Sequence, residues 1–183
     1  MKTKFTQIAL IAFLAAGTSS VFAGGWGGKY VVSEKNPIAK NPVPAPCYGA
    51  GYEFGIFAAG IFPNGTGDYE EALGGGVSLG YFYNENLGFD LGAAVFSTDS
   101  EVHNYTLDLV YRFPNQQDCY APYVFIGGGV HTNGETEGLA RGGLGLDVKM
   151  TDSCSIFADG AYNYVAGDVE DYITVRVGLR FNF

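Results

Sequence analysis

From Tyr48 to the C-terminus, apolar residues alternate with glycine or polar residues over eight separate segments, a two-residue period that predicts strands with one oily face. The last segment is the most regular: Ile173, Val175, Val177, Leu179, Phe181 and Phe183 share one side, and Thr174, Arg176, Gly178, Arg180 and Asn182 the other. The first, Tyr48 to Ala58, sets Tyr48, Tyr52, Phe54 and Ile56 against Gly49, Gly51, Glu53 and Gly55. The second, Ala72 to Tyr83, opposes Leu73, Val77, Leu79, Tyr81 and Tyr83 to Gly74, Gly76, Ser78 and Gly80. In the third, Leu87 to Phe96, Leu87, Phe89, Leu91 and Val95 face away from Gly88, Asp90 and Gly92. The fourth, Asn104 to Phe113, has Tyr105, Leu107, Leu109, Tyr111 and Phe113 opposite Thr106, Asp108 and Arg112. The fifth, Tyr120 to Val130, places Val124, Ile126 and Val130 against Gly127 and Gly129, its first half being less cleanly patterned. The sixth, Leu139 to Met150, sets Leu144, Leu146, Val148 and Met150 against Arg141, Gly143, Gly145, Asp147 and Lys149. The seventh, Cys154 to Tyr164, sets Ile156, Ala158, Tyr162 and Tyr164 against Asp159 and Asn163.

One such strand would suit a soluble sandwich, but here the pattern recurs with no intervening helix to cover the oily faces. Segments of roughly ten residues are about the length a tilted strand needs to cross a bilayer. The count is even, connections after segments two, four and six are short, and the others are looser. We therefore expect an all-β fold, an eight-stranded antiparallel up-and-down transmembrane β-barrel, whose closure leaves no sheet edge in hydrocarbon. Aromatics gather near strand ends, with Tyr48, Tyr81, Tyr83, Tyr111, Phe113, Phe181 and Phe183 at one rim and Tyr105, Tyr162 and Tyr164 at the other. That distribution resembles interfacial girdles.

Ahead of the strands, Lys2 and Lys4 precede the apolar run Ile8 to Ala16 and the small-residue site Val21-Phe22-Ala23, which reads as a secretory signal cleaved near Ala23. The run is too short for a spanning helix. Gly24 to Pro46, with Pro37, Pro42, Pro44 and Pro46, reads as an extended tether. The expected layout is signal peptide over 1–23, periplasmic tether over 24–46 and barrel over 47–183, in the outer membrane of a Gram-negative-type bacterium.

Loss of Lys2 and Lys4 takes the formal charge from −9 to −11, which argues against nucleic acid as a partner. Cys47, Cys119 and Cys154 are spaced unlike any zinc motif and allow at most one internal disulfide. All three map to the rim that carries the short turns. We expect a weak preference for Cys119 with Cys154, free thiols being the alternative.

Inward positions collect Glu53, Asp90, Asp108, Asp147 and Asp159 against Arg112, Arg141, Lys149, Arg176 and Arg180. Lone ions in a narrow interior cost several kcal/mol each, so the balance predicts interlocking ion pairs. Eight strands enclose room for side chains and little else. The triplets Gly74-Gly75-Gly76 and Gly127-Gly128-Gly129 lie inside strand patterns with no helix following, so they are read as space for large inward neighbours rather than as phosphate loops. The looser connections carry Asp68, Glu70, Glu71, Asp99, Glu101, Glu135, Glu137, Asp168, Glu170 and Asp171 and no Lys or Arg. That acidic rim is a solvated surface, or an anionic crown that collects divalent cations or meets a basic partner.

The run Ala121-Pro122-Tyr123-Val124-Phe125-Ile126-Gly127-Gly128-Gly129 and the final strand resemble the small OmpA-like outer-membrane β-barrel family, including its attachment and stress-related OmpX-like branch, over Tyr48 to Phe183. The last strand fits that family's assembly signal, polar-x-Gly-x-x-aromatic-x-aromatic, with Arg176, Gly178, Phe181 and Phe183 in the four places. The resemblance implies recognition by the barrel-assembly machinery, outer-membrane lipid as surroundings, no enzymatic activity and no cofactor. Full OmpA architecture would add a peptidoglycan-binding domain, which does not follow here. A monomeric structural or surface-interaction barrel is the leading expectation, with a low-conductance channel for small solutes as the alternative. A lipid-modifying enzyme, resting on His103 and His131 near Ser97, Ser100 and Asp99, is the third.

Overall fold

The computed structural model describes residues 46–64, 71–97, 102–133, 135–167 and 170–183. The expected signal peptide and most of the expected tether lie outside these residues, as do Asp68, Glu70, Asp99, Ser100, Glu101 and Asp168. The described residues form eight strands: β1 (Gly51–Pro63), β2 (Ala72–Phe82), β3 (Leu87–Ser97), β4 (Val102–Arg112), β5 (Tyr120–Asn133), β6 (Glu135–Thr151), β7 (Cys154–Val165) and β8 (Tyr172–Asn182). Each pairs antiparallel with its sequence neighbour, and β8 pairs with β1 to close the barrel. At the seam, Tyr52 and Phe183 exchange both backbone hydrogen bonds, at 3.3 and 3.1 Å.

The alternation read from the sequence is the alternation of the wall. Tyr52, Leu79, Leu91, Leu107, Ile126, Leu144, Ile156 and Val177 are exposed on the outside, while the intervening positions are buried in the lumen. Three tight turns set the register at the end that carries the C-terminus. In the β2–β3 turn, Asn84 Oδ1 accepts from the backbone N–H of Asn86 at 2.9 Å and of Leu87 at 2.7 Å, a side-chain mimic of a backbone turn. Asn115 plays the same part between β4 and β5, accepting from Gln117 at 2.9 Å. A register shift between Lys149 and Thr151 precedes the third turn. We call this the turn end and the opposite one the loop end.

Two expectations are corrected. Tyr48 does not begin a strand or join the outer girdle: β1 starts at Gly51, and Tyr48 is only 4% exposed because its ring turns into the lumen. Cys119 pairs with Cys47, not Cys154, with their Cα atoms 5.4 Å apart. The residues just before β1 fold across the mouth of the barrel and carry Cys47 onto the β4–β5 turn, a route that strand spacing cannot anticipate. Cys154 remains a free thiol at the start of β7.

Candidate functional site

The lumen is built in three layers along the barrel axis. Nearest the turn end, Glu53 on β1 accepts from Arg112 on β4 at 2.8 Å and lies 3.5 Å from Arg180 on β8. Asp147 on β6 accepts from Arg180 and lies 3.8 Å from Arg112. Two carboxylates and two guanidiniums thus bridge four strands across the interior. Tyr48 lies over them, its hydroxyl donating toward the Asp147 carbonyl at 3.0 Å. Burial and the Asp147 carboxylate push the Tyr48 phenol above its usual range, which keeps it a neutral donor. Gln116 fastens the Tyr48 backbone in both directions, accepting from its N–H at 3.1 Å and donating to its carbonyl at 3.0 Å. Lys149 Nζ donates to the Cys47 carbonyl.

In the middle layer, Asp159 on β7 takes two hydrogen bonds from Arg176 on β8, at 2.7 and 2.9 Å, and a third from the Tyr123 hydroxyl at 2.7 Å. Arg141 approaches Asp108 at 3.4 Å. Asp90 stands directly across the β3–β4 ladder from Asp108. The middle layer therefore holds three acids and two bases, and the turn-end layer two acids and three bases. All ten sequence-selected charges face inward in these two layers.

Aromatic rings separate the guanidiniums. Arg112 lies 3.6 Å from the Phe82 ring centre, Arg180 lies 4.4 Å from Phe157, and Arg141 lies 5.0 Å from Phe125. Ring faces carry negative charge density and stabilise a desolvated cation. Facing these rings are the inward glycines: a Cβ at Gly88 would sit 2.6 Å from Phe82, one at Gly143 2.5 Å from Phe125, and one at Gly145 2.5 Å from Tyr123. Reading the sequence for charges and glycines missed these rings, although their position on the polar parity of each strand was the available signal.

At the loop end the interior changes character. Phe57, Ile61, Phe96, Val102, Leu139 and Val165 form an apolar plug together with Tyr172. Next to it, His131 Nδ1 sits 2.8 Å from Asn104 Oδ1, and Asn104 donates to the Tyr172 hydroxyl at 2.8 Å. His131 is 1% exposed and points inward, whereas Ser97 is exposed on the outer face and His103 is half-buried there. The structure thus separates His131 from Ser97 by the barrel wall. Glu71, Glu135, Glu137, Glu170 and Asp171 remain among the described acidic residues of the loop end. No group of three or more His, Cys, Asp or Glu side chains among the described residues is placed to hold a metal ion.

Of the expected assembly signal, Phe181 and Phe183 project outward at the turn end, Arg176 is held inside by Asp159, and Gly178 leaves room for Phe57.

No family model and no curated protein matches the chain. Solved structures do. The N-terminal β-barrel domain of Pseudomonas aeruginosa OprF is similar at TM-score 0.59 and 22% identity, over 74% of this chain and 99% of that one. Neisserial surface protein A is similar at 0.58 and 18%, over 74% and 99%. Pseudomonas aeruginosa OprG is similar at 0.55 and 15%, over 74% and 97%. The closed eight-stranded antiparallel barrel of this chain is the fold of the small bacterial outer-membrane barrels.

Proposed function

We propose that the protein is an integral outer-membrane barrel with a structural or surface-interaction role in the cell envelope, its lumen shut by paired charges. The observation that carries this reading is the contrast between the two faces of one wall. Outward positions on all eight strands are apolar and uncovered, while inward positions hold charges, most of which meet opposite charges or aromatic rings. An apolar belt of that extent has no stable existence in water. Lipid satisfies it, with the outward aromatics at both rims placed for the interfaces. Arg176, Gly178, Phe181 and Phe183 then serve as the signal read by the barrel-assembly machinery. The loop-end acids face outside, where divalent cations are their candidate partners.

The alternative of a low-conductance channel meets two obstacles in the same lumen, the apolar plug at the loop end and Tyr48 at the turn end. A lipid-modifying activity would need a base reachable from the membrane; His131 is turned away from it, which leaves His103, on the outer face with Ser97, as the one histidine that could serve. The reading assigns no catalytic role. Cell fractionation tests the proposal: the mature protein should stay with the outer membrane through salt and alkaline washes and require detergent for release. Recovery in the soluble fraction would overturn it.

A further inference from the structure

Between the middle ion pairs and the apolar plug lies a cavity with room for about one water, lined by Arg141, Arg176, Asn104, Thr106, Thr174 and Gly92 among others. Arg141 is 7% exposed. Its Nε is 3.4 Å from Asp108 Oδ1 without hydrogen-bond geometry, and among the described residues Arg141 Nε, Arg141 Nη2 and Asp108 Oδ1 have no hydrogen-bond partner. The neighbouring guanidinium differs, since Arg176 gives two of its donors to Asp159. A buried guanidinium with unmet donors, on a cavity of this size that the hydroxyl-bearing Thr106 and Thr174 also line, calls for a small ligand that both accepts and donates.

We propose that this cavity is a hydration site holding one long-lived water, which accepts from Arg141 and donates to the Thr106 hydroxyl. A halide would match the donors alone, but the same layer already sets Asp90, Asp108 and Asp159 against only Arg141 and Arg176. Bringing another anion out of water into that field is unfavourable, whereas a neutral water adds no charge. The site is closed toward the loop end by the plug and toward the turn end by the ion pairs and Tyr48, so its water exchanges slowly. The inference rests on the lumen itself and stands whether or not the barrel has the envelope role proposed above.

The test is NMR on the isotope-labelled full chain refolded in lipid nanodiscs. A cross-relaxation peak between water and the Arg141 Nε–H is expected, and its absence in the wild type would overturn the proposal. Gly92→Ala puts a methyl 2.8 Å from Thr106 Oγ1 at the cavity edge and should abolish the peak while the backbone fingerprint is kept. Should that variant fail to fold, Thr106→Val removes a polar partner with little change of shape and should weaken the peak several-fold. A peak unchanged in the folded variants places the water elsewhere and refutes the site. Crystals soaked in bromide should show no anomalous density beside Arg141; a peak there would make the ligand an anion instead.

Discussion

Individual side chains in the lumen differ sharply in what their loss should do. Asp159 accepts three hydrogen bonds, two from a guanidinium that has no other carboxylate within bonding distance among the described residues. Asp159→Asn should therefore destabilise the barrel by about 3–5 kcal/mol, because it breaks a buried ion pair and takes from the Arg176 donors the carboxylate that holds them. Reversible urea unfolding in lipid vesicles would measure it, and adding Arg176→Met should recover much of the loss. Asp90 predicts the opposite. It forms no ion pair among the described residues and faces Asp108 across the ladder. Like charges directly opposite each other on a sheet repel by roughly 0.2–1 kcal/mol. Asp90→Asn should leave stability unchanged or raise it within that range in the same assay. A loss as large as that of Asp159→Asn would mean that Asp90 sustains the field of Arg141 and Arg176 more than it opposes Asp108.

Each strand has to be judged by what its outer face touches. Leu144 lies near the middle of β6 and is 69% exposed. On a water-facing strand, Leu144→Arg would change stability by no more than about 0.5 kcal/mol. At the middle of a bilayer the same change costs about 2–4 kcal/mol. Vesicle unfolding should give the larger value, and the smaller would count against lipid as the surroundings of β6. The segment before β1 makes a separate prediction. With Cys47 and Cys119 joined, the denatured but unreduced protein should titrate one thiol, that of Cys154. Three thiols would show the strap unformed. The bridge spans 72 residues, so Cys47→Ser should cost up to about 4 kcal/mol by the chain-entropy argument, besides releasing Tyr48 from the turn-end mouth.

For the whole molecule, the order of the layers matters more than their sum. The ten inward charges balance, yet the turn-end layer holds one base in excess and the middle layer one acid in excess. A continuous polar path would need a third layer of the same kind. Phe57, Phe96, Val102, Leu139 and Val165 occupy that level instead. An ion passing there would shed its hydration with only the polar groups of His131, Asn104 and Tyr172 beside it and no charged partner, at a cost of several kcal/mol. Planar bilayers containing the purified protein should accordingly show no discrete current steps. Regular steps would favour the channel reading and would imply that the plug moves.

Periodicity along the chain determined the strand count and the face each strand turns outward. These follow from local order alone, because a two-residue period assigns a face to every position without knowledge of its neighbours. Tertiary structure alone decided the pairings. Arg112 with Glu53, Arg176 with Asp159 and Cys47 with Cys119 depend on which inward side chains stand at the same height across the barrel, a consequence of strand tilt and register rather than of sequence distance. Tyr48 shows the limit most clearly: its parity matched the outer face of a strand, but the strand starts three residues later, and beyond a strand's end parity no longer says where a side chain points.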